Sequence, residues 1–305
     1  MKRALIATVF NESDNVAGWW GALQQQTVLP DEIVVVDGGS RDGTWEKLGD
    51  LARRSKVPVR LDQRSCNIAA GRNRAIALTD AEIIAATDAG SSPEAEWFGE
   101  ITRPLLEDPS VDVVGGRSVS LSENEFQRYL LQFEGQPPEP GSPGEIYPSS
   151  RNIAFHRQSW KDIGGYPEWL TLTAEDALFN FQLHAVGKRF VYNPKAVVSW
   201  PVRSTARAYF KMLYSYGYGA AEARLYGPYF FQRGLITFCP LLSLLSPHRF
   251  HHLKFRYRKN ASSTLGWLAG FFKGHTAPGG WKRVDGVLLS PEAQVYIEKK
   301  GVLPR

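Results

Sequence analysis

Two aspartates each stand at the end of a short apolar run and are followed directly by small residues. Asp37 lies in "VVVDGGSRDGT" and Asp88 lies in "IIAATDAGSSPEAEW". A carboxylate in such a position can accept two hydrogen bonds from a nucleobase or a ribose, and glycines let a ligand approach the backbone. The alternative is turn chemistry, because the glycines supply left-handed backbone and Ser40 or Asp42 can cap a helix. Two such strand ends in one chain favour a nucleotide site.

A pair of arginines opens the segment "GRNRA", which covers residues 71–75. Arg72 and Arg74 fall at the start of a predicted helix, where guanidinium groups can bind a phosphate or stack on a base. A solvated helix face is the alternative for both side chains.

The apolar pattern of the first hundred residues predicts the elements that bring these side chains together. Continuous apolar strands are predicted at Ala4–Phe10, Glu32–Val36, Val57–Leu61 and Glu82–Thr87, and amphipathic helices at residues 13–26, 44–55, 68–78 and 94–107. This alternation indicates an α/β fold with a Rossmann-like, mainly parallel sheet flanked by helices. Ligands bind such sheets at the carboxyl ends of the strands, which is where Asp37 and Asp88 fall.

The composition is that of an ordinary globular protein. The chain has 305 residues, of which 43% are hydrophobic and 22% are charged, enough for one large or two small domains. Its two cysteines, Cys66 and Cys239, are too far apart in sequence for a disulfide framework or a metal cluster, which favours a reducing compartment. The start of the chain lacks the pattern of a signal peptide, so we expect a cytoplasmic protein.

The C-terminal region differs from the rest in charge and hydropathy. "HRFHHLKFRYRKN" (248–260) holds five Lys or Arg and no acid, and it follows the apolar segment "LITFCPLLSLLSP" (235–247). That segment is shorter than the roughly 20 residues that cross a bilayer. An apolar stretch beside a basic one predicts contact with an anionic membrane surface, at its inner face. A buried helix followed by a solvated loop is the alternative, and no pattern typical of nucleic-acid binding is present.

Five motifs in order resemble family 2 glycosyltransferases of the GT-A fold. They are "TVFNESDNV", "EIVVVDGGSRDGT", "GRNRAIALTDAEIIAATDAG", "SSRNIAFHRQSWKDIGGYPE" and "AEDALFNFQL", and together they span about Lys2 to Tyr218. The resemblance implies an inverting enzyme that moves a sugar from a nucleoside-diphosphate sugar to an acceptor hydroxyl. It also implies a nucleotide-sugar-binding half over residues 1–118 and an acceptor-binding half over 119–220. Outside the resemblance, the composition of residues 221–305 predicts a helical, basic, membrane-associated C-terminal region.

The resemblance assigns roles to individual residues of the donor site. Thr8, Phe10 and Glu12 match the first nucleotide-binding segment, with Phe10 near the base. Asp37 matches the acid that contacts the base, Arg72 matches the arginine that completes this pocket, and Asp88 matches the first acid of the Asp-x-Asp motif, which meets ribose, diphosphate and metal. Arg151 follows the extended "EIYPSS" and is placed to reach the donor phosphate or the acceptor.

Asp176, in "TAEDA", matches the catalytic base of the family, and Glu175 is expected to raise its pKa or to orient it. An inverting transfer needs such a base within hydrogen-bond reach of the acceptor hydroxyl. The alternative for this segment is a helix start in which Thr173 is the cap and the acids complement the helix dipole.

The chain departs from the family pattern at the metal site. Gly90 stands where the second acid of Asp-x-Asp is expected, and Trp200 and Pro201 stand where many relatives have a histidine. A divalent cation, Mg²⁺ or Mn²⁺, is still expected at Asp88, because Mg²⁺ can bind through one carboxylate, phosphates and water. Alternatively, Arg72, Arg151 or the basic residues near Arg203 and Arg207 neutralise the leaving group without a metal.

The preferred function is an inverting glycosyltransferase that acts on a lipid-linked or cell-envelope glycan at the inner membrane face. A non-catalytic nucleotide-sugar-binding or scaffold protein of the same fold is the alternative, and a nucleotidyltransferase is a weaker one. The segment "GQPPEPGSPGE" (135–145) is predicted to form a mobile loop over the site.

Overall fold

The computed structural model describes residues 1–139, 148–238 and 253–301. The first part consists of β1 (Arg3–Val9), α1 (Val16–Gln24), β2 (Glu32–Asp37), α2 (Thr44–Arg53), β3 (Val59–Gln63), α3 (Ile68–Ala77), β4 (Ile83–Ala86), β5 (Ser92–Pro93) and α4 (Trp97–Glu107). Apart from β5, which the sequence pattern did not predict, these bounds differ from the predicted ones by no more than three residues. The predicted alternation is therefore confirmed.

The remaining part is less regular. It consists of β6 (Val113–Leu121), α5 (Glu125–Glu134), β7 (Ile153–His156), α6 (Arg157–Asp162), α7 (Glu175–Ala185), β8 (Phe190–Pro201), α8 (Ala206–Glu222), α9 (Gly227–Phe238), α10 (Leu253–Lys273), β9 (Lys282–Val284), β10 (Val287–Leu289) and α11 (Pro291–Lys300). The predicted mobile loop and the apolar segment after α9 lie largely outside the described residues.

The main sheet has the strand order β3-β2-β1-β4-β7-β6-β8-β5. Strands β1 to β4 are parallel to one another, whereas β7 is antiparallel to both β4 and β6. Because β8 runs parallel to β6, the carboxyl ends of β4 and β8 and the amino end of β7 meet at one edge of the sheet. This topology brings Asp88, Arg151 and Trp200 together from distant parts of the sequence.

The sheet has a hydrophobic core on each face, which explains why its central strands are apolar at nearly every position. Along β1, Ala4 and Ile6 pack toward one core, which also receives Phe155 and Phe179. Their neighbours on β1 pack toward the other core, beneath α1 and α4. All six residues of β2 are buried, including the polar residue Asp37. Asp37 is the last residue of the strand and therefore lies at the carboxyl edge of the sheet.

The C-terminal helices pack against the α/β core and against each other. Helix α10 lies close to α8 because glycines form the contact: a Cβ atom on Gly217 or Gly266 would collide with the backbone of the facing helix. Leu289 and Ala293 belong to the same core cluster as the central strands. The division into 1–118, 119–220 and 221–305 stays a prediction, but residues 289 and 293 pack with the sheet.

Candidate active site

A cavity of about 1180 Å³ opens along the edge of the sheet where β1, β4, β6 and β8 end and β7 begins. Its wall combines both halves of the fold, from Thr8 on β1 to Tyr216 on α8. The carboxyl ends of the strands thus face a cleft that is large enough for a nucleotide-sized ligand.

The β1–β2 end of the cavity is lined by Thr8, Phe10, Glu12 and Gly38, and Asp37 adjoins it as the last residue of β2. The ring of Phe10 is 59% exposed and lies beside Gly38, so it offers a flat apolar surface to a ligand. The hydroxyl of Thr8 is buried and has no hydrogen-bond partner among the described residues. An oxygen without a partner in this position can bind a polar ligand group.

Asp37 forms the turn that was one of its two predicted roles, and its role in binding a nucleotide stays a prediction. Its Oδ1 accepts the backbone N–H groups of Gly39 at 2.7 Å and Ser40 at 2.6 Å, so it forms the turn that follows β2. Gly39 has φ +94°, a conformation that favours glycine. The other oxygen, Oδ2, is buried without a hydrogen-bond partner in the described part of the chain.

Glu12 lies between the β1–β2 end and the turn after β4. Its Oε2 accepts a hydrogen bond from Asn15 Nδ2 at 2.7 Å, and its backbone N–H donates to Thr44 Oγ1 at 2.9 Å. A Cβ atom built on Gly90 would lie 3.9 Å from both carboxylate oxygens of Glu12. The space at Gly90 is therefore open on the side that faces Glu12.

The β4–β7 end of the cavity is lined by Asp88, Glu175, Arg151 and Trp200, and Arg72 adjoins it through its pairs with Asp88 and Glu175. Arg72 is buried and joins two acids: Nη1 donates to Glu175 Oε1 at 2.7 Å and Nη2 donates to Asp88 Oδ1 at 3.2 Å. Its guanidinium carbon also lies 5.6 Å from the centre of the Tyr166 ring. One guanidinium thus links the end of β4 to the start of α7.

The pKa shifts in this network follow from burial and from the paired charges. Burial alone lowers the pKa of Arg72, but Asp88 and Glu175 outweigh it and raise the pKa. Burial raises the pKa of Glu175, and the nearby charge of Asp176 raises it further, whereas Arg72 lowers it. Burial also raises the pKa of Tyr166 to about 12. Arg72 is therefore a permanent cation, and Tyr166 is a neutral phenol.

Arg151 approaches Asp88 from the opposite side. Its guanidinium carbon lies 4.3 Å from the centre of the Trp200 ring, which is a cation–π distance. Its Nε is 3.8 Å from Asp88 Oδ2, but this buried N–H makes no hydrogen bond within the described residues. Asn152 fixes the adjacent backbone, because its amide donates to Arg117 O and Ala196 O.

The start of α7 carries Glu175 and Asp176. The residue before them, Ala174, has φ +75° and is the N-cap of the helix without a side-chain hydrogen bond. The alternative that Thr173 caps this helix is wrong, because its hydroxyl donates to Ser215 O at 2.7 Å instead. A non-glycine residue in the left-handed region costs of order 1–3 kcal/mol, which is typical of a functional segment.

The two acids of α7 are placed differently. Glu175 lines the cavity and is bound to Arg72, whereas Asp176 is not among the lining residues and its Oδ1 accepts the N–H of Ala177 at 2.8 Å. Asp176 is close enough to act electrostatically on the cavity-lining phenol Tyr216, whose pKa is raised first by desolvation and also by this carboxylate.

Comparison with known proteins places this cavity in a family. The family model described as glycosyl transferase family 2 matches residues 4–165, which is more than half of the chain. The chain belongs to glycosyl transferase family 2. The matched range covers the sheet up to β7 and includes Asp37, Arg72, Asp88 and Arg151. The family resemblance seen in the sequence is confirmed, and the protein is a glycosyltransferase.

Curated relatives of this glycosyltransferase share its sequence at a moderate level. It is 25% identical to the O-antigen chain rhamnosyltransferase RfbN of Salmonella typhimurium over 230 residues, which are 71% of this chain and 72% of that protein. It is 29% identical to glycosyltransferase AglE of Haloferax volcanii over 116 residues, 37% of this chain and 38% of that protein.

Solved structures confirm the GT-A fold. The mannosyltransferase PcManGT of Pyrobaculum calidifontis, solved with GDP-Man and Mn²⁺, superposes with a TM-score of 0.64 at 16% identity and covers 90% of this chain and 88% of that chain. S. aureus TarS 1–349 in complex with UDP superposes with a TM-score of 0.54 at 16% identity, and the match covers 94% of this chain and 96% of that chain.

The residues of this glycosyltransferase around Asp88 do not fit a divalent cation. Both oxygens of Asp88 already face arginines, and the Ser91 hydroxyl donates to Asp88 O at 2.6 Å within the turn. No group of three or more His, Cys, Asp or Glu side chains in the described ranges is arranged to hold a metal ion. A cation at Asp88 would meet two positive charges at its single carboxylate ligand.

The predicted site residues thus fall into three groups. Thr8, Phe10, Glu12, Asp88, Arg151 and Glu175 line the cavity. Arg72 does not line it but pairs with the lining residues Asp88 and Glu175. Asp37 and Asp176 do not line it either, but each is next in sequence to a lining residue. The base-binding role of Arg72 and the catalytic roles of the acids stay predictions. Tyr166 under Arg72 and the support of Arg151 by Trp200 were missed, since they depend on contacts between segments distant in sequence.

Proposed function

We propose that this glycosyltransferase moves a sugar with inversion from a nucleoside-diphosphate sugar to a hydroxyl of a cell-envelope glycan. The observation that carries the proposal is the Arg72 bridge, which joins Asp88 at the donor strand end to Glu175 at the start of α7. A donor bound over β1 and β4 would therefore present its sugar to the acids of α7. The proteins of similar fold with bound UDP and GDP-Man support a donor of this class.

The proposed reaction is a single displacement. The acceptor oxygen forms a bond to the anomeric carbon while the bond from that carbon to the diphosphate breaks, and its electron pair stays on the diphosphate. The hydroxyl proton passes to a carboxylate. Asp176 is proposed as this base and Glu175 as the residue that orients it, because Glu175 is already paired with Arg72 at 2.7 Å.

A comparison of two acid variants tests the base. In transfer assays with UDP- and GDP-sugars and a lipid-extracted cell-envelope fraction as acceptor, Asp176→Asn is expected to lower kcat by about a hundredfold or more. Its affinity for the nucleoside diphosphate should stay within about twofold of wild type. Glu175→Gln is the matched variant and should retain more turnover. Full turnover in Asp176→Asn would remove it from this role, and a product that keeps the donor's anomeric configuration would contradict inversion.

An exposed aromatic surface supports an envelope acceptor. We define the aromatic face as Phe230, Trp267, Phe271 and Phe272, whose rings contact in series at 5.2–6.2 Å between α9 and α10. Phe271 and Phe272 are 63% and 76% exposed, and α10 carries five Lys or Arg and no acid. Such a surface is suited to an anionic bilayer. Within the described residues, no helix combines the length and apolar character needed to span a membrane.

Vesicle sedimentation tests this part of the proposal. The double variant Phe271→Ser, Phe272→Ser should lose binding to vesicles of phosphatidylglycerol and phosphatidylcholine, because two large apolar side chains no longer enter the interface. Leu106→Ser, an exposed residue on α4, is the matched control and should bind as wild type does. Unchanged sedimentation of the double variant would contradict a role for the aromatic face.

A further inference from the structure

Arg151 differs from Arg72 at the β4–β7 end because its ion pair with Asp88 is long and includes no hydrogen bond. It is stacked on Trp200, its Nε faces Asp88 Oδ2 at 3.8 Å, and that buried N–H has no hydrogen-bond partner in the described part of the chain. An unsatisfied buried donor is costly unless a ligand completes it. The side chain lines the same cavity as Gly90 and Ser91. Because the side chain is 25% exposed, a ligand that brings an anion between Arg151 and the turn after β4 can reach the guanidinium.

Among the described residues, the turn after β4 and the end of β8 add no side-chain ligand for a cation to that of Asp88. Gly90 has no side chain, the Ser91 hydroxyl is bound within its own turn, and Trp200 carries no oxygen or ring nitrogen acceptor. Trp200 stands where many relatives have a histidine that could bind a metal, and its ring also stacks on the guanidinium of Arg151. The loss of metal ligands and the gain of a fixed guanidinium thus occur at one place.

We propose that Arg151, positioned by Trp200, takes the place of a divalent cation and binds the diphosphate of the donor. This inference rests on the proposed function. As the bond from the anomeric carbon to the diphosphate breaks, the electron pair left on the leaving oxygen is stabilised by the guanidinium, which keeps all its protons. Arginine suits this role because its planar group is always charged and binds phosphate through two parallel hydrogen bonds. Trp200 is a positioning residue, which fixes the guanidinium plane through its ring.

The first test uses the wild-type protein and needs no variant. Binding of UDP, GDP and dTDP is measured by calorimetry in EDTA, in Mg²⁺ and in Mn²⁺. The diphosphate that binds most tightly should have the same affinity, within about threefold, in all three solutions. A gain of about tenfold or more with either cation would overturn the inference and leave the proposed function intact. If none of the diphosphates binds, the proposed function itself fails.

The second test assigns the diphosphate contact to Arg151. Arg151→Ala should weaken diphosphate binding by about tenfold to a hundredfold, while binding of the corresponding nucleoside should change by less than about twofold. Arg189→Ala is the matched control, because Arg189 precedes the other end of β8 and pairs with Asp108 at the surface. Equal losses for nucleoside and diphosphate would contradict the assignment, since a general loss of structure affects both.

The third test examines Trp200 through the kind of side chain that replaces it. Trp200→Phe keeps a ring face and should retain diphosphate affinity within about threefold, whereas Trp200→Leu should lose about tenfold. Their nucleoside affinities should be equal to that of wild type. If Trp200→Phe and Trp200→Leu behave alike, the ring does not position Arg151.

A reversed design gives the sharpest outcome. The double variant Gly90→Asp, Trp200→His restores both of the missing ligand types, and the space at Gly90 accepts a Cβ atom without a close contact. Its diphosphate affinity should become dependent on Mn²⁺, with a gain of about tenfold over EDTA. If the double variant and wild type respond equally to Mn²⁺, these two positions do not decide metal dependence, and the inference is wrong.

Discussion

The two ends of the cavity are built in different ways. At the β1–β2 end, Asp37 is held by the backbone of residues two and three positions away, and Thr8 and Asp37 each keep a buried oxygen without a partner in the described residues. At the β4–β7 end, Asp88 is held by Arg72 and Arg151, which lie 16 and 63 positions away in sequence. One end is assembled by a local turn and the other by ion pairs between distant segments.

This difference separates stability from ligand binding. A local turn can form without a ligand, so the β1–β2 end can leave polar atoms available for binding. Buried charges need partners when the protein is empty, so the β4–β7 end satisfies Arg72 internally. We therefore expect the loss of Arg72, whose partners are both internal, to affect the free energy of unfolding first. Changes at the β1–β2 end should affect nucleotide affinity first.

The largest effect is expected from Arg72→Met. Removing the guanidinium leaves Asp88 and Glu175 without their shared partner, and breaking a buried pair costs about 3–5 kcal/mol. The free energy of unfolding, measured with urea, should fall by this amount. Arg74→Met on the same helix is the matched control, because Arg74 is 40% exposed and its pair with Asp62 is a surface ion pair worth about 0–1 kcal/mol. Equal losses in the two variants would remove the contrast between the two ends.

An intermediate effect is expected from Asp37→Asn. The amide keeps the Oδ1 acceptor for the turn but replaces Oδ2 by a donor, so a ligand hydrogen bond to that atom is lost. Affinity for the best-binding nucleoside diphosphate should fall by about 1–3 kcal/mol, with little change in the free energy of unfolding. The nucleoside alone should show the same loss, in contrast to Arg151→Ala. Unchanged affinity in both titrations would remove Asp37 from the ligand site.

The smallest effect is expected in the pH dependence of stability, to which Glu175 contributes. Burial raises the pKa of Glu175 above its ordinary value of 4.5, so the native protein holds this proton more tightly than the unfolded chain does. Unfolding then releases a proton between these two pKa values, and the contribution of Glu175 to stability is lost as the pH rises through that window. The Tm of wild type relative to that of Glu175→Gln should therefore decrease from pH 4 toward neutral. An increase of this Tm difference with pH would show that folding lowers the pKa of Glu175 and would contradict the prediction.

The strand ends were predictable because their determinants are local. Apolar runs of four to seven residues, interrupted by glycine and aspartate, predicted the bounds of β1, β2 and β4 within two residues. Asp37 and Asp88 were identified for the same reason. The antiparallel pairing of β7 with β4 and β6 gave no comparable signal in the sequence. The direction of a strand in a mixed sheet depends on how segments distant in sequence pack together.

Side-chain partners were predicted less well. The pairing of Arg72 with two acids was not predicted, and its base-binding role stays a prediction. Thr173 was an open alternative as a helix cap, and its hydroxyl bonds to α8 instead. The partners of both side chains depend on which segments, distant in sequence, pack next to them in the folded protein. The substitution at position 200 was visible in the sequence, but its contact with Arg151 required the register of β8 against β6.

The sequence by itself determined the α/β alternation and the row of polar residues at the strand ends, because hydrophobic periodicity acts over a few residues. Its five motifs carried the resemblance that implied the family and the GT-A fold. The tertiary structure decided how the charges are shared. Burial makes each charged group depend on its nearest partners, and the topology of the sheet brought Arg72, Arg151 and Trp200 to the single acid at position 88.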